Sequence, residues 1–307
     1  MGMDSVLQTR SSMFDSTQYQ LLDFGDGRRL ERFGPVVLDR PCPTADSFRP
    51  ATSELWSSAD GRFERSEAER GQWSLRGNLP QHWAIAHGRI TLALKRTDFG
   101  HVGIFPEQAE NWDWIAEQVG HCLSDAVSAM KILNLFAYTG GSTLAAAAVG
   151  AAVTHVDAAQ NIVAWARHNA ELSSLGKSPI RWIVEDAVKF VKREIRRGNH
   201  YDAVILDPPS YGHGTHGEVW RLAEDLPRLL ALCAELTTPR PRFVLLTCHT
   251  PGFTPARLRE LLAAAFGSSP SAQIEAAPLV LVASTGHALP SGVVARWTDE
   301  PSSARVS

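Results

Sequence analysis

The chain has 307 residues, is 44% apolar and 21% charged, and carries a formal net charge of -3. That length accommodates about two domains, and the near-neutral balance excludes nucleic-acid binding through a general positive field, so any such partner must meet local basic surface. No apolar run approaches the roughly 20 residues of a membrane span, and the four cysteines, Cys42, Cys122, Cys233 and Cys248, lack metal-type spacing, which reads as reduced thiols in a cytoplasm.

Residues 1–18 are polar and Ser-rich, without a signal-peptide core, and read as a disordered tail. Residues 19–107 read as a small, mostly-β domain. Gly25-Asp26-Gly27 predicts a hairpin turn between apolar stretches at 20–24 and 30–33. Further short runs lie at Val36–Leu38, Trp83–Ile85 and Ile90–Leu94, and Pro41, Pro43, Pro50 and Pro80 exclude long helices. Trp56, Trp73 and Trp83 suit either a base-stacking platform or, as aromatics are more commonly used, a small core. Arg28, Arg29 and Arg32 form one basic cluster. Lys189, Lys192, Arg193, Arg196 and Arg197 form another, with the ordinary character of a solvated helix face.

Residues 108–307 change pattern. A helix is predicted from Gln108 to Gly120, after which strands and helices alternate. The strand candidates are Ile132–Phe136, Val153–Val156, Trp182–Val184, Ala203–Leu206 and Phe243–Leu246. The helix candidates are Ser142–Val149, Ala159–Leu175, Ala187–Arg197, Glu218–Leu236 and Pro255–Phe266. Short, fully apolar strands between helices predict a parallel sheet covered on both faces. Leu279–Ala283 and Val293–Trp297, with no helix between them, predict an antiparallel edge hairpin.

Polar residues gather at one end of these strands, the edge where α/β folds bind ligands. Gly140 and Gly141 permit close backbone approach at a helix start. Asp157 closes the second strand, where a carboxylate can accept ribose hydroxyls; Glu185-Asp186 closes the third and Asp207-Pro208-Pro209-Ser210-Tyr211 the fourth. Thr247-Cys248-His249 closes the fifth. Each acid alone is an ordinary cap or surface group, but the shared edge points to a nucleoside cofactor. The stretch Asn134-Leu-Phe-Ala-Tyr-Thr-Gly-Gly141 lacks the three-glycine spacing of dinucleotide sites, so S-adenosyl-L-methionine, which has no phosphates, fits better. His213 and His216 flank the site and lack a third ligand, which favours a substrate lid over a metal site.

Together, Asn134–Gly141, Asp157, Asp186 and Asp207-Pro-Pro-Ser210 resemble the class I S-adenosylmethionine-dependent methyltransferases, and most closely the bacterial 23S ribosomal-RNA 5-methylcytosine enzymes. Phe99-Gly-His-Val-Gly-Ile-Phe-Pro-Glu-Gln108 is similar to the element joining the two domains of that family. The resemblance spans roughly residues 85–300. It implies a Rossmann-like, seven-stranded α/β sheet with antiparallel last strands, behind a small mostly-β domain that recognises RNA. It also implies cofactor contacts at Asn134, Phe136, Tyr138, Thr139, Gly140, Asp157, Asp186 and Asp207. Substrate contacts are expected at Gln108, Pro208, Pro209, Ser210 and Tyr211. Cys248 occupies the position resembling the family nucleophile, whose thiolate would add to cytosine carbon 6. Asp207 would hydrogen-bond the base and His249 would assist with protons.

Two departures matter. No N-terminal segment matches the RNA-binding PUA module of many members, and Ser210 replaces the aromatic on which amino-group methylases stack their base. The expected partner is RNA, with ribosomal RNA foremost and the oligomeric state open. A methyltransferase acting on a small molecule or another RNA base atom, and a non-catalytic RNA-binding assembly factor, are the alternatives; the run of acids is unnecessary in the last.

Overall fold

The computed structural model describes residues 14–66, 70–123, 129–213, 219–237, 241–267 and 272–299. Residues 14–18 of the expected tail are among those described. Of residues 1–18, those at 1–13 lie outside the described residues. Phe14 is 7% exposed and packs against Tyr19, His87 and Trp112.

Strands β1 (Tyr19–Gly25), β2 (Arg28–Phe33), β3 (Val36–Pro41), β4 (Gly61–Arg65) and β5 (Gly71–Leu75) form a five-stranded sheet in sequential order. The β1–β2 turn has Asp26 and Gly27 at φ 50° and 72°, the left-handed pair that matches strand twist in a two-residue hairpin. Asp23 holds the long β3–β4 connection by accepting from Ala51 N, Thr52 N and Trp56 Nε1. Trp73 donates to the Thr97 carbonyl and packs on Phe63. These tryptophans therefore serve packing and loop anchoring. Arg28 pairs with Asp39, while Arg29 and Arg40 converge on the fully buried Glu31. The arginines at 28 and 29 are structural ion pairs in place of an open basic patch.

A separate hairpin, β6 (His82–His87) and β7 (Ile90–Lys95), links this sheet to the second half. There follow α1 (Ala109–Leu123), β8 (Lys131–Leu135), α2 (Gly141–Ala147), β9 (Ala152–Asp157), α3 (Gln160–Leu172), β10 (Ile180–Val184), α4 (Ala187–Arg196), β11 (Ala203–Leu206), β12 (Tyr211–His213), β13 (Val219–Arg221), α5 (Leu222–Leu236), β14 (Phe243–Cys248), α6 (Pro255–Phe266), β15 (Ala272–Val282) and β16 (Ala288–Asp299). The main sheet has seven strands in the order β10-β9-β8-β11-β14-β16-β15. Its first five strands are parallel and its last two antiparallel, as the alternation and the terminal hairpin predict. Strand order reverses between β8 and β11, and at such a switch point the loops diverge and leave a crevice.

The core lies on both faces of this sheet. Phe190, Leu226, Leu230 and Leu262 cover one face, while Ile115, Val119 and Ala146 cover the other. Burying each large side chain contributes roughly 1.5–3 kcal/mol. Among the described residues, no helix is long and apolar enough to cross a membrane.

Some predicted bounds shift. The helix expected from Glu218 begins at Leu222, because Val219–Arg221 pairs with Tyr211–His213 as a short hairpin. Trp220 fixes that hairpin by donating to the Pro209 carbonyl. Helix α3 ends at Leu172, where Ser173 exchanges hydrogen bonds with Thr91 of β7 and Ser174 turns to φ 59°. The edge strands are longer than expected: their ladder runs from Ala272↔Asp299 to Val282↔Ala288.

Candidate functional site

The loop after β8 is strained. Phe136 and Tyr138 lie at φ 55° and 48°, and Gly140 at 92°. A left-handed non-glycine residue costs about 1–3 kcal/mol and persists only where its surroundings over-determine it. Here they do. Ala137 N donates to the Val156 carbonyl and Tyr138 N to Asp157 Oδ2 at 3.0 Å. Thr139 Oγ1 donates to the Gly103 carbonyl at 2.7 Å, and Asn169 Nδ2 donates to the Thr139 carbonyl at 2.9 Å. A Cβ at Gly140 would sit 3.2 Å from Ala166 Cβ, so this helix N-cap needs glycine for space as well as for φ.

Asp157 ties two loops together. Its Oδ1 accepts from Ala159 N at 3.0 Å, so its two oxygens bridge the loop after β8 to the loop after β9. Burial pushes the Asp157 pKa up, against the lowering effect of the two amides. Asn134 points inside the fold, donating to Thr143 Oγ1, which contacts His155 Nδ1 at 2.9 Å. Burial pulls His155 down to about 3, so it is neutral there.

Across the switch point, Asp207 gathers the second set of groups. Its Oδ1 accepts from Thr247 Oγ1 at 2.6 Å and lies 3.3 Å from His249 Nε2; its Oδ2 lies 3.2 Å from Gln108 Nε2. Gln108 is 6% exposed and also accepts from Asn111. Burial raises the Asp207 pKa, but hydrogen bonding and charge from His249, then Thr247 and Gln108, outweigh it and hold the carboxyl below its ordinary range. For His249, burial lowers the pKa, yet Asp207, Glu107 and the Ser291 carbonyl together raise it to about 9. The imidazole expected to accept protons is thus an imidazolium near neutrality, donating from Nδ1 to the Ser291 carbonyl at 2.7 Å.

Between these two sets lies a cleft of about 410 Å³ including its mouth, floored by Phe136–Gly140 and bounded by Phe105, Gln108 and Asp207. Aromatic contacts form its wall: Phe136 packs on Trp220, and Phe105 packs on Tyr138 and stacks with His249. The lining holds a carboxylate, amides and hydroxyls but no lysine or arginine. A nucleoside bearing a positive sulfonium suits that set, whereas a dinucleotide pyrophosphate would lack a counter-charge.

The remaining predicted residues are distributed unevenly. Asp186 caps α4 by accepting from Lys189 N, and Glu185 pairs with Arg193. Pro208 is buried, while Pro209, Ser210 and Tyr211 are exposed, with Ser210 bonded to Thr250. Cys248 is 1% exposed and belongs to the apolar cluster with Leu246 and Val293. Strand alternation explains it: Thr247 faces Gln108 and Asp207, so Cys248 faces the opposite side of β14. Burial pushes the Cys248 thiol up, hydrogen bonds from Thr250 lower it, and Asp207 raises it further. His213 closes β12, and the lid expected around His216 lies outside the described residues. Phe105, Glu107, Asn111 and Trp220 complete the site without having been assigned a role there, and Thr247, noted at the end of the fifth strand, joins them. Phe105 and Glu107 lie within the motif that ends at Gln108 and Asn111 follows it, so proximity to the motif was the available signal.

A parallel sheet with an antiparallel edge, together with a cleft free of lysine and arginine at its switch point, is the architecture of a class I methyltransferase. The family model for S-adenosylmethionine-dependent methyltransferases matches residues 51–274, and the chain belongs to that family. A solved S-adenosylmethionine-dependent methyltransferase from Agrobacterium tumefaciens is 35% identical, with a TM-score of 0.85 over 92% of this chain and 91% of that one. A methyltransferase structure from Streptococcus mutans, 20% identical with a TM-score of 0.70, shares the fold over 92% of this chain and 75% of that one. Ribosomal RNA large subunit methyltransferase K/L of Syntrophotalea carbinolica is 26% identical over 58% of this chain and 24% of its own length. Ribosomal RNA large subunit methyltransferase I of Aeromonas salmonicida is 32% identical over 44% of this chain and 30% of its own. The chain thus matches less than a third of the length of either.

Proposed function

We propose that this protein methylates a base of RNA, with ribosomal RNA in the cytoplasm as the foremost substrate. The observation that carries the reading is the meeting of two clefts at the Asp207–His249 pair: Asp207 borders the cofactor cleft, and His249 borders a second cleft open to the N-terminal sheet. The names of the ribosomal-RNA relatives support the substrate class.

Bound S-adenosylmethionine supplies an electrophilic methyl group. The Phe136–Gly140 backbone would hold its nucleoside, Asp157 its ribose, and Asp207 its positive end. Asp186, whose Oδ1 caps α4, would offer its other oxygen to the adenine amino group. Gln108 and Thr247 keep Asp207 oriented, and His249, as imidazolium, donates to an oxygen or ring nitrogen of the base. The target must leave its stack to reach this depth.

The finer assignment is cytosine carbon 5. The Cys248 thiolate would add to carbon 6, the displaced electron pair would reach carbon 5, and carbon 5 would take the methyl group as the sulfur–methyl bond breaks and its electron pair stays on sulfur as a neutral thioether. Loss of the carbon 5 proton to a base and expulsion of the thiolate complete the balance. The place of Cys248 at the end of β14, on the sheet edge that carries the cleft, supports this. Its burial and raised thiol pKa favour a second reading, direct methylation of another base atom.

Tritiated S-adenosylmethionine with deproteinised ribosomal RNA tests the substrate: label in the RNA is expected, and label confined to small molecules would refute it. Cys248→Ala decides the atom. Loss of turnover with unchanged cofactor affinity supports the thiolate route, and full turnover assigns another base atom.

A further inference from the structure

The second cleft holds about 810 Å³ including its mouth and lies between the N-terminal sheet and the Phe99–Phe105 linker. Arg29, Arg40, Arg65, His101, Phe99 and Phe105 line it. It adjoins the cofactor cleft at Phe105, which borders both. His249 and the side chain of Glu107, 6% exposed, form its inner end.

Its cations divide by role. Arg29 and Arg40 are committed to Glu31, and Arg40 also donates to the Gly100 carbonyl, so they build the floor. Arg65 and Arg70 are exposed at the mouth, where Arg65 and Gly71 are paired across β4 and β5. Arg70 lies 5.8 Å over the ring of Phe99, and that ring is 49% exposed. A half-exposed aromatic beside two exposed guanidiniums, in a chain of net charge -3, is a local departure from the surface as a whole. The field is felt inside: burial first, then Arg40, Arg29 and Arg65, pull His101 down to about 4.

We propose that this cleft carries the RNA strand flanking the target nucleotide, with Phe99 stacking a neighbouring base and Arg65 and Arg70 holding the phosphates on either side of it. The proposal rests on the RNA reading above. Aromatic stacking combined with basic tracking of the backbone is how single strands are held without reading their sequence. Because Phe105 borders both clefts, the extruded base would stand beside Asp207 and His249 while the strand stays on the N-terminal sheet. An acidic peptide would use the arginines but would have no need of a flat platform beside them.

The test compares wild type, Phe99→Ala and Arg65→Gln by fluorescence anisotropy with a labelled single-stranded RNA of about 12 nucleotides, at several salt concentrations. Cofactor affinity by calorimetry and thermal melting serve as controls; both variants alter exposed side chains. Phe99→Ala should weaken RNA binding roughly 5- to 150-fold, the range for removing one base stack. Arg65→Gln should weaken it and lower the salt slope by about 0.7, one phosphate contact to a single strand. Wild-type RNA binding with both variants unchanged in affinity and slope overturns the cleft assignment and leaves the RNA reading standing. A wild type that binds S-adenosylmethionine but not RNA overturns both.

Discussion

Asp207 Oδ1 and His249 Nε2 stand 3.3 Å apart at the ends of neighbouring strands, and each keeps the other ionised. Their side chains are 31% and 33% exposed, so solvent and salt reach the pair. The raised His249 pKa contributes stability that is fully present below the ordinary 6.5 and is lost as pH rises through about 9. The lowered Asp207 pKa contributes stability present above the ordinary 3.8 and lost as pH falls through its folded value. Asp207→Asn removes the largest raising influence and leaves burial opposed only by Glu107 and the Ser291 carbonyl. The His249 imidazole should then titrate clearly below 9, followed by NMR of the ring protons. A value still near 9 would assign the shift to Glu107 and Ser291.

Asp157→Ala should loosen the loop that it bridges. The amides of Tyr138 and Ala159 both lose their acceptor, at about 1–3 kcal/mol for an unanswered buried group. Cofactor affinity should fall roughly 5- to 150-fold by calorimetry, with Asp157→Asn intermediate because one oxygen remains. Equal affinity in all three proteins would remove Asp157 from the cofactor site.

Gly140→Ala places a Cβ at φ 92° and 3.2 Å from Ala166 Cβ. The left-handed penalty alone is about 1–2 kcal/mol, and the contact with Ala166 adds to it. A lower melting temperature together with weaker cofactor binding is expected. The same substitution at Gly88, where nothing lies within 4 Å of the new Cβ, should cost melting temperature without cofactor affinity.

His155 gives an acid-sensitive contribution. Burial holds it neutral to about 3, whereas it charges near 6.5 once unfolded. Stability from this group is therefore complete above 6.5 and declines by about 1.4 kcal/mol per pH unit below it. Urea unfolding between neutral and mildly acidic pH should be steeper in wild type than in His155→Gln. Parallel curves would show that the ring is protonated in the folded protein.

Much of this architecture is legible in residue order. Alternation of apolar strands with helices gives the parallel sheet, and Asp26-Gly27 gives the first turn, because both signals are local. The cofactor loop is legible as a glycine turn, although nothing in Phe136 or Tyr138 announces a left-handed backbone; distant bonds to Asp157, Gly103 and Asn169 impose it. Asp186 satisfies its helix before any ligand, which a motif match does not distinguish. Cys248 shows a similar limit: its position in the chain suits a nucleophile, and strand alternation turns it into the core. The fates of Arg28 and Arg29 were hidden because their carboxylate partners, Asp39 and Glu31, come from strand register.

Asn169 has a consequence for how the two halves can be separated. Its side chain accepts from Ala93 N of the linking hairpin and donates to the Thr139 carbonyl in the loop after β8. Trp165, on the same helix, donates to the Ala93 carbonyl. Cutting the gene just after Lys95 would strip these groups of their partners and uncover the ground on which Leu92 and Leu94, now 1% and 0% exposed, rest. A shuffled or truncated version must inherit this hairpin along with the catalytic half, since the hairpin is a strut of the pocket that happens to be encoded upstream of it.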